Sequence, residues 1–353
     1  MRKKTLYIHA GIFKTGSTYL QSTLRHNRDN LFENGVYYPK ISKRESTGYF
    51  DVTTGNGAKP FSRPDKFQKY LSRLVKSDRS VLLSGEAIFT NLVNNDLTGV
   101  LFEFFESSSF EEMKFIFFAR DPIDQASSVW AENVTQHGFA TSLEEWFRQA
   151  ENIPCLAQCL ETLRSAAKAD ITVINYSARK KQILEDFSEW LDVKLTEDRS
   201  RSQLGTVNRS LTAGEQELLL SINRACGAQA AFLGIELCSK LTDIQGELRY
   251  PSKAAQRALL ENLRPHIDTI NSFLPEDQKL NEEVKPESKP QSDFTFLKKQ
   301  LDLVGALLGG EINRLNVELD KAVAERDRAT ERSRLLSLPR LESVRNVLSQ
   351  KRK

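Results

Sequence analysis

Residues His9 to Leu20 read HAGIFKTGSTYL, and the fold is decided by how this stretch is built. Gly11 and Gly16 are separated by four residues, with Lys14 and Thr15 between them and Ser17 and Thr18 after them. The glycine spacing is that of the phosphate-binding loop G-x-x-x-x-G-K-[ST], but the lysine stands inside the loop instead of after its second glycine. Before the loop, Thr5 to His9 (TLYIH) is an apolar, β-branched run that predicts a strand. After it, Ser17 to Arg25 carries Tyr19, Leu20 and Leu24 at helical spacing, with Ser17 or Thr18 placed to cap. Strand, tight turn and helix N-terminus aim backbone N–H groups and the positive dipole end at an anion. The glycines let the backbone come close to it. Taken alone, a Gly- and Ser-rich turn can also open a helix and bind nothing.

A second group of residues repeats the arrangement. Met113 to Ala119 (MKFIFFA) is almost wholly apolar, as a strand covered on both faces should be. Arg120-Asp121-Pro122 follows, then a helical pattern through Ile123, Ala126, Val129, Trp130 and Val134, with Pro122 suited to the first turn. Arg120 therefore stands at the carboxyl edge of a strand, where α/β sheets bind ligands. Ser128 lies eight residues on, about two helical turns away. A guanidinium fork and a hydroxyl make a pair suited to one phosphate monoester. The alternative is an arginine paired with Asp121 or Asp124 and a serine facing solvent.

These two groups of residues together resemble the sulfotransferase family, in particular bacterial members that use 3′-phosphoadenosine 5′-phosphosulfate (PAPS). The resemblance covers about residues 1 to 275 and implies a P-loop-like α/β fold with a mostly parallel sheet flanked by helices. It implies that Lys14, Thr15, Gly16, Ser17 and Thr18 hold the 5′-phosphosulfate, and that Arg120 and Ser128 hold the 3′-phosphate. Asn208-Arg209-Ser210 resembles a family loop that folds over the 3′-phosphate or adenine, so Asn208 and Ser210 join the expected donor site; a surface turn before a Thr212 cap is the alternative. Many relatives carry a histidine just before the loop lysine, where this chain has Phe13.

The reaction so implied moves a sulfuryl group to an acceptor hydroxyl, with a carbohydrate as the favoured acceptor class. Lys14 and the backbone donors near Gly16 and Ser17 would meet the charge growing on the bridging oxygen, without a metal ion. An acceptor hydroxyl needs a base within hydrogen-bond reach. Glu86 fits that role, because Val81-Leu82-Leu83-Ser84-Gly85-Glu86 is an apolar strand ending in a carboxylate; a capping or salt-bridging glutamate is the alternative. His9 ends the first strand, and His26, His137 and His266 fall on helical or loop segments, so each reads as structural or solvated. Two rival readings remain: a P-loop nucleotide kinase or NTPase, and a nucleotide-binding scaffold without turnover.

Composition fits a folded enzyme of one large α/β domain with an appendage: 353 residues, 39% hydrophobic, 27% charged, net charge +3. The basic residues are dispersed, which gives no case for nucleic acid. The apolar part of the N-terminus is too short for a signal peptide, and no run of apolar residues reaches membrane-spanning length. Cys155, Cys159, Cys226 and Cys238 lack zinc-ligand pairing, so reduced thiols in a cytoplasmic compartment are expected.

Further strands are predicted at Val36–Pro39 and Ile171–Tyr176. Helices are predicted near 67–74, 154–169, 180–191, 213–226 and 252–273, and the polar stretch 41–64 reads as an acceptor-side loop. From Pro275 to Ser292 three prolines and many charges predict a linker, assigned to 276–293. In 294–336, Leu301, Leu308, Leu315, Ala322 and Ala329 recur every seven residues, interleaved with Ile312 and Leu319 and fading into Arg326. Self-association through a coiled coil or a single amphipathic helix docked on the catalytic domain would each satisfy that pattern. The segment 337–353, ending QKRK, reads as a basic tail able to touch an anionic surface.

Overall fold

The computed structural model describes residues 3–40, 55–56, 71–72, 74, 78–94, 97–149, 152–165, 169–197, 209–288 and 295–337. Most of the expected acceptor-side loop 41–64, most of the helix at 67–74, Asn208 and the tail 338–353 lie outside these residues. Contacts divide the chain into Met1–Thr295 and Phe296–Lys353.

The first unit is built on five strands, β1 (Thr5–Ala10), β2 (Val36–Tyr37), β3 (Ser80–Gly85), β4 (Glu112–Ala119) and β5 (Asp170–Asn175). They form one sheet in the order β2-β3-β1-β4-β5, and every pairing is parallel. All six residues of β1 and of β3 are buried, which is why these segments read as unbroken apolar runs without alternation. Central β1 has β3 on one side and β4 on the other, so the crevice above their carboxyl ends is the natural ligand position.

Helices α1 (Ser17–His26) and α2 (Arg28–Glu33) follow β1, α3 (Glu86–Asn94) and α4 (Leu97–Ser107) follow β3, and α5 (Pro122–Gln136) follows β4. Next come α6 (Leu143–Trp146), α7 (Asn152–Ser165), α8 (Tyr176–Arg179) and α9 (Ile183–Leu191). The unit closes with α10 (Ala213–Cys226), α11 (Ala231–Lys240) and α12 (Lys253–Asn271). One face of the sheet, with Tyr7, Leu82, Ile116, Phe118 and Ile174, packs on Leu20 and Leu24 of α1 and on Ile183, Leu184, Phe187 and Leu191 of α9.

The strand expected at Val36–Pro39 ends at Tyr37 and several helix ends shift by a few residues; two of the boundaries that differ have clear local reasons. The last strand stops at Asn175, because that side chain accepts hydrogen bonds from the N–H groups of Ser177 and Ala178 and starts α8. The helix expected from Lys180 begins at Ile183 and is ended by Asp192 in the left-handed region, φ 52°.

The stretch expected as a linker from residue 276 is held to the first unit as far as Ser288. The Asn281 N–H donates to the Asp121 carboxylate at 3.0 Å and the Lys285 N–H to Gln256 Oε1 at 2.9 Å, while the Ser288 hydroxyl accepts from the Tyr250 N–H at 2.8 Å. These bonds join side chains to backbone and leave no periodicity in the sequence.

Among the described residues one helical stretch, Ala213–Lys240, has the length and mean hydropathy (1.3) to cross a membrane. It is not one straight helix. A short 3-10 turn, Gly227–Ala230, divides it, and both halves pack against α5. Asn223 donates to the Val134 carbonyl at 2.8 Å, and a Cβ on Gly234 would stand 2.8 Å from Thr135.

Candidate functional site

The chain leaves β1 at Ala10 and turns at once. The Gly11 N–H donates to the Gly85 carbonyl at 3.2 Å, and a Cβ on Gly11 would stand 2.8 Å from Ser17 Oγ and 3.3 Å from Glu86 Cγ. Glycine there leaves room for the Ser17 and Glu86 side chains beside the loop. Lys14 (φ 63°) and Gly16 (φ 81°) both take the left-handed conformation; it is easy for glycine and costs a lysine of order 1 kcal/mol or more. At Gly16 a Cβ would also press on Ile183 at 2.8 Å and on the Tyr176 ring at 3.0 Å.

Three successive loop carbonyls are held by protein donors. Thr15 Oγ1 and Ser17 Oγ donate to the Ile12 carbonyl at 2.8 and 3.1 Å, Gln125 Nε2 to that of Phe13 at 2.8 Å, and Arg120 Nη1 to that of Lys14 at 2.9 Å. Gly16 stands at the N-cap of α1 and, having no side chain, cannot cap the first-turn N–H groups itself. That leaves an anion position of the kind found at helix N-termini. Thr15 and Ser17 are buried and brace the loop through Ile12; Thr18 lies half-buried at the start of α1.

Two carboxylates flank the lysine. Lys14 Nζ pairs with Glu132 Oε1 at 3.0 Å, and both side chains are partly open to solvent. Glu86 opens α3 immediately after β3, at the same edge. Its carboxyl is pushed up to about 7, first by burial and then by the negative charge of Glu132, with Lys14 opposing. A carboxyl that changes charge near neutrality, beside an ammonium group, is equipped to accept a proton. Glu132 was missed by the sequence reading. Its only signal was its place on α5, four residues beyond Ser128 and one turn further along the same face.

Arg120 leaves β4 as expected, but its hydrogen bond goes to the loop, and its guanidinium lies 5.8 Å from the centre of the Tyr176 ring. Burial holds it below the usual guanidinium range. Among the described residues no hydrogen bond joins Arg120 to Ser128. Ser128 is buried on α5 between Gln125 and Glu132, both of which reach the loop, so these three share the loop-facing side. Asp121 is occupied elsewhere, accepting from Asn175 Nδ2 at 3.1 Å and from the Asn281 N–H at 3.0 Å. Asp124 accepts from the Tyr250 hydroxyl at 2.9 Å, and both aspartates act on Arg120 through charge alone.

The Asn208-Arg209-Ser210 segment is different in kind. Asn208 is outside the described residues. Arg209 is buried in a two-pronged pair with Glu215, both bonds at 2.7 Å, and also donates to the carbonyls of Leu241 and Leu237. Ser210 is exposed, and its backbone is packed where a Cβ on Gly246 would clash at 2.0 Å. Arg209 therefore holds α10 and α11 together, and among the described residues no hydrogen bond links Ser210 to the loop.

His9 lies in the core beneath the loop. Its Nδ1 is 2.8 Å from Ser84 Oγ, its ring meets Phe118 and Phe187 edge to face, and burial pushes its pKa down to about 3. It is a neutral packing residue at ordinary pH. His137 is exposed at the end of α5. All four cysteines are free, and burial pushes the thiols of Cys159 and Cys238 up to about 12 and about 11, which makes them poor nucleophiles. Among the described residues no cluster of His, Cys, Asp and Glu is placed to hold a metal ion. A scan against models of protein families, a search of curated proteins and a search of solved structures each return no match.

Proposed function

We propose that this chain is a sulfotransferase of P-loop-like fold that moves a sulfuryl group from PAPS to an acceptor hydroxyl, with a carbohydrate the first acceptor class to test. The observation that carries this reading is the grouping of Lys14, inside the loop, with Glu86, whose carboxyl is raised to about 7, where β1 and β3 end side by side. A kinase-type loop would place its lysine after Gly16, where this chain has Ser17. In the reading proposed, Glu86 takes the proton of the acceptor hydroxyl as its oxygen attacks sulfur and the bond from sulfur to the bridging oxygen breaks. Lys14 and the first N–H groups of α1 stabilise the negative charge that collects on that oxygen. Arg120 and Ser128 bind the 3′-phosphate. Lys14 exchanges Glu132 for the donor on binding.

Calorimetry with 3′-phosphoadenosine 5′-phosphate is the direct test. The wild-type chain should bind it and not ATP. Arg120→Ala should weaken that binding by roughly tenfold to a hundredfold, as expected for loss of a charge-assisted contact. ATP binding with magnesium would assign a kinase instead. Nucleotide binding without transfer to any acceptor in a broad screen would assign a scaffold.

The base has its own signature in pH. Burial and Glu132 favour the neutral carboxyl of Glu86, and only its ionised form accepts a proton, so kcat/KM should rise with pH through a limb near 7. Glu132→Gln removes a negative charge, so the limb should move to lower pH. In Glu86→Gln the limb should vanish. An unchanged limb in that variant would show that another group is the base.

A further inference from the structure

The second unit contains α13 (Lys298–Ser337), a helix of 40 residues and roughly 60 Å. From Ile312 to Arg332 every residue is exposed. The heptad residues from Ile312 onward are among them: Ile312 is 60% exposed, Leu315 50% and Leu319 61%; of the two before it, Leu301 is 55% exposed and Leu308 is half-buried. Local ion pairs, such as Arg314 with Glu311 and Glu318, contribute little at an exposed site. Helices of this kind are held mainly by packing an apolar face, and among the described residues of the second unit nothing packs on this face from Ile312 onward.

The order of residues specifies what covers it. With Ile312 and Leu319 at the first core position of the heptad (a), Leu301, Leu308, Leu315, Ala322 and Ala329 fall at the second (d). Ile312 at a with leucine at d is the combination that favours two parallel strands, while Gly305, also at an a position, weakens the start of the seam. Arg326 falls at the next a position, and Glu311, Glu318 and Glu325 occupy the flanking g positions. In an antiparallel pair these three glutamates would line up against glutamates of the same kind. In a parallel, in-register pair they face Asn316, Val323 and Thr330 of the second copy, and Arg326 packs beside Glu325 of the second copy, twice across the seam. In the single chain Arg326 only turns back on its neighbour Asp327, at 3.0 Å. We propose that α13 forms a parallel, in-register, two-stranded coiled coil with a second copy of this chain through the seam from Leu301 to Ala329. This assembly is independent of the sulfotransferase reading, since it uses no residue of the loop site.

Sedimentation of the full chain tests it. The wild type should be a concentration-dependent dimer at micromolar concentration, and Leu315→Lys with Leu319→Lys should weaken association by about tenfold or more. Because these side chains are exposed, the variant should keep the melting transition of the first unit. Glu325→Lys should weaken the dimer, and adding Arg326→Glu should restore it. Ala322→Cys in a chain carrying Cys226→Ser should give a reducible crosslinked dimer. A monomer at all concentrations, a dimer insensitive to the lysine pair, or a dimer lacking the Ala322→Cys crosslink would each overturn the proposal.

Discussion

Lys14→Ala is expected to lower sulfuryl transfer by about 10²–10³-fold, the range seen when one group that stabilises a developing oxyanion is removed. The nucleotide should still bind, because the α1 N-terminus and Arg120 are unchanged. The loss should therefore appear in kcat more than in KM. Lys14 carries a left-handed backbone, φ 63°, so alanine adds no relief of strain there and glycine does. Lys14→Gly separates the two effects: if the ammonium group is what matters, glycine should be as slow as alanine while binding at least as well. Removing the cation also leaves Glu86 and Glu132 without their common opposing charge, so any residual activity should show its pH limb displaced upward. Transfer at the wild-type rate in both variants would refute the assignment of Lys14.

The other large effect is on stability. Arg209→Ala is expected to cost roughly 3–5 kcal/mol, because it strips a buried carboxylate of its guanidinium. Both partners are nearly inaccessible, with side chains 3% and 0% exposed for Arg209 and Glu215. Glu215 also completes the capping box of α10, accepting from the Thr212 N–H at 2.9 Å, so its displacement would loosen the start of that helix. Arg209→Lys keeps the charge and loses the fork, and should fall between wild type and alanine. Replacing both residues with apolar side chains of similar volume should recover most of the loss, since that removes the buried charge altogether. Urea denaturation measures each midpoint. An alanine variant as stable as wild type would mean that the pair contributes nothing.

Fold class was legible because the strands that matter are buried on both faces. TLYIHA, SVLLSG and EMKFIFFA each carry a buried run after a polar approach. Lys14, Glu86 and Arg120 could be singled out for a related reason: Glu86 and Arg120 follow such a run directly, Lys14 stands in the loop just after one, and parallel strands bring their ends to one edge. Glu132 had no comparable mark. A carboxylate in mid-helix looks solvated until the fold brings the loop to it. Asn208-Arg209-Ser210 was open to two readings, a loop over the donor and a surface turn before Thr212, and neither anticipates Arg209 buried against Glu215, because nothing in the local pattern marks an arginine as buried. Residues 276 to 288 misled in the other direction, their prolines and charges concealing backbone groups claimed by Asp121, Gln256 and Tyr250.

The central position of β1 bears on how the chain is made. β1 emerges first, yet its sheet neighbours are β3 and β4, so its backbone has no partner until Ser80 to Ala119 have been synthesised. At about 5–20 residues per second that is an interval of several seconds or more. During it an apolar strand with two open edges, and the loop behind it, have nothing to hold them. Such pairings, distant in sequence, form late and leave the nascent segment open to association with other chains. The same centrality that places the loop between two strands makes it wait for both partners, so that it is translated well before them and is among the last parts to take shape.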